Sequence, residues 1–372
     1  MTFRRVHRTM SNEPPIDFQL LHEFIKKAHV NLNQNIWDYL IGGTETETGV
    51  KRNRLALDQL ALRPRVLVDV SEIDCSWDFF GKRIRLPVAL APVGSLESFA
   101  PGGGATAAEG AGAFNVPIFA SSVTQPSLEA IGDAGTGPKV FQLYVRGDDD
   151  FIDDYVRRIA DAGYDALCIT VDTALYSRRE RDIGKRFRKS WRPVDPTLIT
   201  KQAALNWGHI ERFKTRHRMP LILKGIATAE DAERAVNSGV DVVYVSNHGG
   251  RQLDFPRGSA EVLPEIVAAV AGRAKVYVDG GFSRGTDIIK AIALGADLVL
   301  VGRLYCYALA AAGAAGVNRM LEVLEEEVHE SLGLLGVTSF RQVERSHVQA
   351  APAVDLPHVH SAFPLLNLDN SF

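Results

Sequence analysis

The chain has 372 residues, 46% hydrophobic and 23% charged, and a formal net charge of −3. This is the balance of an ordinary globular protein, without the basic excess of a nucleic-acid binder. The most apolar long stretch, 304–317, is too short and too rich in Ala and Gly to span a bilayer, and no apolar segment follows the N-terminal charges as in a secretory signal.

In chain order, residues 1–80 read as an N-terminal helical extension, with one helix through Phe18–Ala28 and another at Asn35–Leu40 before the turn Gly42-Gly43. Eight short apolar runs follow: Leu86–Ala91, Val116–Ala120, Val140–Tyr144, Ala166–Val171, Leu221–Lys224, Val242–Val245, Lys275–Val278 and Leu298–Val301. Between them lie segments of helical spacing such as Asp148–Ala162, Ala229–Ser238, Glu261–Ala271 and Thr286–Leu294. Near-continuous apolar strands alternating with helices mean a parallel sheet covered on its faces, and eight such units close a (β/α)₈ TIM barrel over 81–347. A doubly wound sheet is the alternative, but no strand carries the glycine fingerprint of a dinucleotide fold. Residues 184–208 are long for a connection and read as a lid or a disordered loop. The tail 348–372 has no clear periodicity and reads as a wrap around the surface or a neighbouring subunit. Three scattered cysteines, Cys75, Cys168 and Cys306, cannot all pair and suit a reducing compartment, hence a cytoplasmic location.

Barrel enzymes build their sites at the C-terminal ends of the strands. Those ends are, in order, Pro92-Val93-Gly94; Ser121; Gln142 and Tyr144; Thr170 and Asp172, with Arg179 beyond; Lys224; Ser246, His248 and Arg251; Asp279-Gly280-Gly281; and Gly302-Arg303. The glycines after strands seven and eight, with Arg303, match the usual phosphate corner of such barrels, although most barrel-loop glycines only form turns. Lys224 ends an apolar strand and needs a partner: a structural ion pair, a Schiff-base role, or an electron-rich cofactor. His248 alone would more often be a satisfied polar residue than a base; Asp172 strengthens the catalytic reading because a carboxylate can orient the imidazole. Arg251 and Arg179 can clamp a carboxylate, and Tyr39 and Tyr144 are either core aromatics or hydroxyl donors to a ligand. These residue types suggest removal of a proton or hydride from the α-carbon of a small carboxylate, with electrons passing to a phosphorylated cofactor.

The stretches APVG, SSVTQPSLEAI, FQLYV, TVDT, SRRERDI, LKGI, SNHGGRQLD, DGGFSRGTD and VGR, in that order, make the chain similar to the FMN-dependent L-2-hydroxy acid oxidases and dehydrogenases. The resemblance implies oxidation of an L-2-hydroxy acid to the 2-oxo acid, with O2 as acceptor or, alternatively, a quinone or protein. It implies His248 as the base beside Asp172. Arg179, Arg251, Tyr39 and Tyr144 would bind the substrate, and Lys224 would lie at the flavin N1/O2 edge. Pro92, Val93, Gly94, Ser121, Gln142, Thr170 and Ser246 would contact the flavin, and Asp279, Gly281, Gly302 and Arg303 its ribityl phosphate end. Where the family usually has an arginine after DGG stands Ser283, with Arg284 following, so these two share that expected contact. The resemblance also implies a homotetramer or octamer. A phosphosugar lyase using Lys224 and a non-catalytic binding barrel are the competing readings.

Overall fold

Each apolar run at the centre of the protein divides its side chains between two environments with a period of two, as a pleated strand dictates. In the computed structural model, which describes residues 17–187 and 196–367, Val140, Cys168, Ile222, Tyr244, Tyr277 and Leu300 belong to an inner cluster. Their neighbours Phe141, Leu167, Leu223, Val243, Val278 and Val301 belong to the outer cluster, packed under the helices. The strands are β1 (Val88–Leu90), β2 (Ile118–Ser121), β3 (Lys139–Leu143), β4 (Ala166–Thr170), β5 (Leu221–Ile226), β6 (Val242–Val245), β7 (Lys275–Val278) and β8 (Leu298–Val301). They close into one parallel barrel in sequence order, β8 pairing with β1 through Val299 and Val88. The expected (β/α)₈ barrel is therefore the fold.

The boundaries have local causes. Pro87 has no N–H to give the ladder, so β1 starts at Val88, while the Pro87 carbonyl still accepts from Val299 N at 3.0 Å. β5 runs past its expected end at Lys224 because the register shifts between Lys224 and Ile226, at Gly225 with φ +112°. The expected helices appear at Asp149–Asp161, Ala229–Asn237, Ser259–Val270 and Gly285–Ala293.

The N-terminal extension is not purely helical as expected. Leu21–Asn31 and Gln34–Ile41 are helices, and a third, Thr48–Asp58, was not foreseen. Leu60–Leu62 then pairs antiparallel with Val348–Ala350. A ribbon of Trp77–Phe79 and Lys82–Ile84 follows, whose Phe79 and Ile84 join the inner cluster with Phe119 and Tyr277. Apolar side chains continuous with the barrel interior explain why this segment is sheet rather than helix.

The segment 184–208 is likewise not one long loop: Glu180–Gly184, Pro196–Ala203 and Trp207–Arg216 are helices, and 188–195 lie outside the described residues. Its entry is tied to the N-terminal extension, Arg181 bonding Glu47 and Lys185 pairing with Asp38. The last long helix, Arg303–Leu335, breaks at Ala312-Gly313, where Gly313 has φ +58°. No helix among the described residues is long and apolar enough to cross a membrane.

Candidate active site

The alternation that fills the barrel also builds its mouth. One inward step beyond Phe119, Val140, Cys168, Ile222, Tyr244, Tyr277 and Leu300 come Ser121, Gln142, Thr170, Lys224, Ser246, Asp279 and Gly302. All the polar ones are buried, with Gln142 at 0% and Lys224 at 3% exposure. Above them opens a cleft of about 1190 Å³, open solvent at its mouth included. Its lining includes Tyr39, Pro92, Val93, Gly94, Tyr144, Arg179, Lys224, His248, Arg251, Asp279, Gly281, Ser283, Gly302 and Arg303.

The floor is a hydrogen-bonded network. Lys224 Nζ donates to Ser246 Oγ at 2.9 Å, and Ser246 Oγ donates to Asp279 Oδ1 at 2.6 Å. Tyr244 OH donates to Asp279 Oδ2 at 2.8 Å, and Lys224 Nζ lies 3.6 Å from that same oxygen. Burial presses the Lys224 ammonium towards neutrality, but Asp279 and Asp172 outweigh it and hold its pKa above the ordinary value. A lysine kept charged by two carboxylates is a poor Schiff-base nucleophile, which disfavours the lyase reading.

His248 sits in a left-handed turn with Gly249 and Gly250, at φ +59°, +62° and +75°. A histidine there is strained, and strain held by its surroundings gathers at functional sites. Its Nδ1 lies 3.0 and 3.3 Å from the Asp172 carboxylate oxygens, and its Nε2 is 3.3 Å from Tyr144 OH. Burial lowers the His248 pKa, Asp172 opposes this, and Lys224 adds to burial, leaving it below the ordinary histidine value. Asp172 keeps a lowered pKa despite burial, because His248 and Lys224 favour its charged form. The pair is thus a neutral imidazole oriented by a carboxylate. Gly225 makes it possible: a Cβ there would lie 2.6 Å from Asp172 Cβ.

Arg251 donates through Nη1 to the carbonyls of Tyr39 and Gly42, both at 2.7 Å, and its guanidinium stands 4.7 Å from the Tyr39 ring centre. Arg303 spends Nε, Nη1 and Nη2 on the carbonyls of Leu40, Gly249 and Gly42. Among the described residues neither has a carboxylate ion-pair partner. Two part-buried guanidiniums with no carboxylate partner among the described residues make a cleft suited to anions. Tyr39 is stacked on Phe99, and its OH lies 3.5 Å from Gly94 O. A methyl at Gly94 would lie 2.7 Å from Val123 Cγ2, so the two residues share one wall.

At the barrel mouth, the buried atoms Gln142 Nε2 and Thr170 Oγ1 have no hydrogen-bond partner among the described residues. Gln142 Oε1 is already taken by Ser121 Oγ at 2.7 Å, so its amide N–H₂ is left to donate. Such orphans are rare and call for a ligand or water. A flat heterocycle edged with carbonyls and ring nitrogens would satisfy them, and a phosphate would answer Arg303 beside Gly281, Ser283 and Gly302. The residues present fit FMN.

Among the expected cofactor residues, Arg284 stands apart. Its guanidinium forks onto Glu327, with Nη2 at 2.7 Å from Oε1, and its Nη1 donates to Ala362 O at 3.2 Å, away from the cleft. Glu327 is near enough to capture it before it can turn inward. Ser283 lines the cleft, with its Oγ donating to Gly281 O at 3.2 Å. Residues not anticipated from the sequence include Asn53, Arg54, Phe99, His358 and Val359, all on the wall. Arg54 forks onto Asp287 at 2.7 and 2.9 Å and also donates to Gly281 O, fixing the glycine loop. A polar Asn-Arg pair inside an unforeseen helix was the only available signal.

A family model described as FMN-dependent dehydrogenase matches residues 28–350. Glycolate oxidase 1 of Oryza sativa subsp. indica is 38% identical over 347 residues, 88% of this chain and 94% of that protein. A peroxisomal (S)-2-hydroxy-acid oxidase of Oryza sativa subsp. japonica is 38% identical over 358 residues, 91% of this chain and 97% of that protein. Among solved structures, mandelate oxidase with a difluorinated 2-hydroxy-3-phenylpropionic acid superposes with a TM-score of 0.84 at 40% identity, covering 91% of this chain and 100% of that one. A mandelate oxidase mutant with an FMN adduct gives 0.82 at 40% identity, covering 88% and 99%. With its glycine corner, its His248–Asp172 pair and its orphaned amide and hydroxyl in place, the chain belongs to the family of FMN-dependent dehydrogenases.

Proposed function

We propose that the protein oxidises (S)-2-hydroxy acids to 2-oxo acids with FMN and dioxygen. The observation that carries this reading is the oriented, neutral imidazole of His248 beside the uncompensated guanidinium of Arg251, both facing one cleft. Arg251 and Arg179 hold the substrate carboxylate, and Tyr39 and Tyr144 steady its oxygens. His248 Nε2 takes the substrate proton, and Asp172 stabilises the imidazolium that forms. Lys224 presents a fixed positive charge to the cofactor from the barrel floor. FMN, when bound, supplies the two-electron acceptor, and its reoxidation by dioxygen gives hydrogen peroxide.

The wall formed by Phe99 and Val123 is apolar and supports substrates with a carbon side chain over glycolate. Anaerobic addition of glycolate, lactate, mandelate and longer 2-hydroxy acids should bleach the flavin for at least one of them, and readmitted air should return the colour with release of hydrogen peroxide. Bleaching without oxygen-driven recovery, but with recovery by a quinone, would move the enzyme to the dehydrogenases. Gly94 bears on that choice, but an alanine there must displace Val123, so its effect on reoxidation is readable only beside a Val123→Ala control.

Asp172→Asn tests the base. In the native protein Asp172 raises the His248 pKa against the stronger lowering by burial. Its removal leaves the lowering unopposed. The acid limb of kcat/KM should therefore move to lower pH, while the plateau falls by roughly 10²–10⁴-fold as the imidazolium loses its counter-ion. An acid limb that moves upward would mean that another group is the base.

Exposed Leu175, Leu253 and Phe255 are the kind of surface a homo-oligomer covers, and a tetramer is the assembly we favour. The three cysteines are buried and free, which suits a cytoplasmic enzyme.

A further inference from the structure

The tail beyond Val348–Ala350 returns across the barrel mouth, where His358 and Val359 join the cleft wall that Ser283 and Arg303 also line. Three contacts pin it. Tyr307 OH is 3.1 Å from His360 Nε2, and Arg284 Nη1 donates to Ala362 O at 3.2 Å. Phe363 is buried at 1% exposure, edge-on to the His22 ring at 5.5 Å. Burial lowers the His360 pKa to about 4, and His358 and Arg303 add to it, so His360 stays neutral as an anchor. Tyr307 lies in the first turns of the helix Arg303–Leu335, and Arg284 immediately precedes the helix Gly285–Ala293. The tail therefore crosses the starts of the two helices that follow β7 and β8, the corner where barrels of this kind hold phosphate.

The chemistry of that corner leaves a place to fill. Arg284 is turned outward onto Glu327 and the tail itself, and Arg303 has committed three N–H groups to carbonyls. His358 has a defined tautomer: its Nδ1 accepts from His360 N–H at 3.2 Å, which puts the ring proton on Nε2. Nε2–H is then a donor at the rim of the cleft.

We propose that residues 358–363 form a clasp over the phosphate end of FMN, with His358 Nε2–H a direct phosphate donor and His360, Ala362 and Phe363 its anchors. Arg284 acts through the tail as a positioning residue, holding the clasp instead of the phosphate. The inference rests on the FMN reading of the cleft.

Riboflavin, which shares the ring and lacks the phosphate, isolates the contact. Apoprotein stripped of flavin is titrated with FMN and with riboflavin, following quenching of flavin fluorescence. His358→Ala should weaken FMN binding about tenfold, the scale of a hydrogen bond to a charged group, and leave riboflavin unchanged. His358→Gln, which keeps an N–H donor, should recover part of the loss. Equal losses for both flavins would reduce the tail to a structural cover, and unchanged FMN affinity in His358→Ala would remove the clasp altogether. Wild-type apoprotein that rebinds neither flavin, from a preparation whose denatured supernatant held none, would instead overturn the FMN reading.

Discussion

Replacing His248 with asparagine should slow anaerobic flavin bleaching by the best substrate by roughly 10²–10⁴-fold, the usual contribution of a general base. Asparagine is the informative choice because it tolerates the left-handed backbone that His248 adopts at φ +59°, where alanine would add strain of its own. The flavin should stay bound. The floor network of Lys224, Ser246 and Asp279 keeps its side-chain contacts, and the backbone N–H of residue 248 can still donate to Ser246 Oγ, as it does now at 3.0 Å. Loss of catalysis would then separate from loss of cofactor. A yellow variant that bleaches at the wild-type rate would take the base away from this residue and leave Tyr144, 3.3 Å from His248 Nε2, as the next group to question.

Arg251→Met should have a comparable effect on kcat/KM by another route. The guanidinium is part-buried in the open cleft and would be covered by bound cofactor and substrate, where breaking a charge pair costs about 3–5 kcal/mol. That corresponds to roughly 10²–10⁴-fold in kcat/KM once the substrate carboxylate loses its partner. Methionine keeps most of the apolar stem against the Tyr39 ring, but the bonds to Tyr39 O and Gly42 O are lost. A general weakening of the site must therefore be separated from loss of carboxylate recognition. The methyl ester of the substrate does this, since it presents no charge. Wild type should prefer the acid strongly, and Arg251→Met should lose that preference. A variant that is slower but equally selective for the acid would assign the carboxylate to Arg179.

How far the chain could be read in advance follows from the physics of each segment. The barrel was legible because parallel strands covered on both faces are apolar throughout, and the end of each run marks where the polar mouth begins. Gln142, Lys224 and Asp279 could be placed by counting residues. Arg284 could not, because a long flexible side chain is placed by the nearest carboxylate, and Glu327 lies 43 residues further along the chain. The helix Thr48–Asp58 was missed because, Val50 apart, what it presents to the site is polar. Asn53 exchanges hydrogen bonds with Asn247, and Arg54 pairs with Asp287, so no apolar stripe announces it. The tail 348–367 carries no periodicity, since it is held by separate contacts at Tyr307, Arg284 and His22 rather than by one repeating face.

The antiparallel pairing of Leu60–Leu62 with Val348–Ala350 has a consequence for synthesis of the protein. The two strands are almost the whole chain apart, so the first of them leaves the ribosome long before its partner exists. The eight barrel strands, each beside its sequence neighbour apart from the closing pair, can form during translation, whereas this seam must wait until Val348–Ala350 has been made. Tyr39, from the segment before the first of these strands, and His358, from the segment after the second, both line the cleft. A nascent chain can thus hold a formed barrel without a finished pocket, and enzyme truncated before Val348 would be folded at its centre but open where cofactor and substrate meet the chain ends.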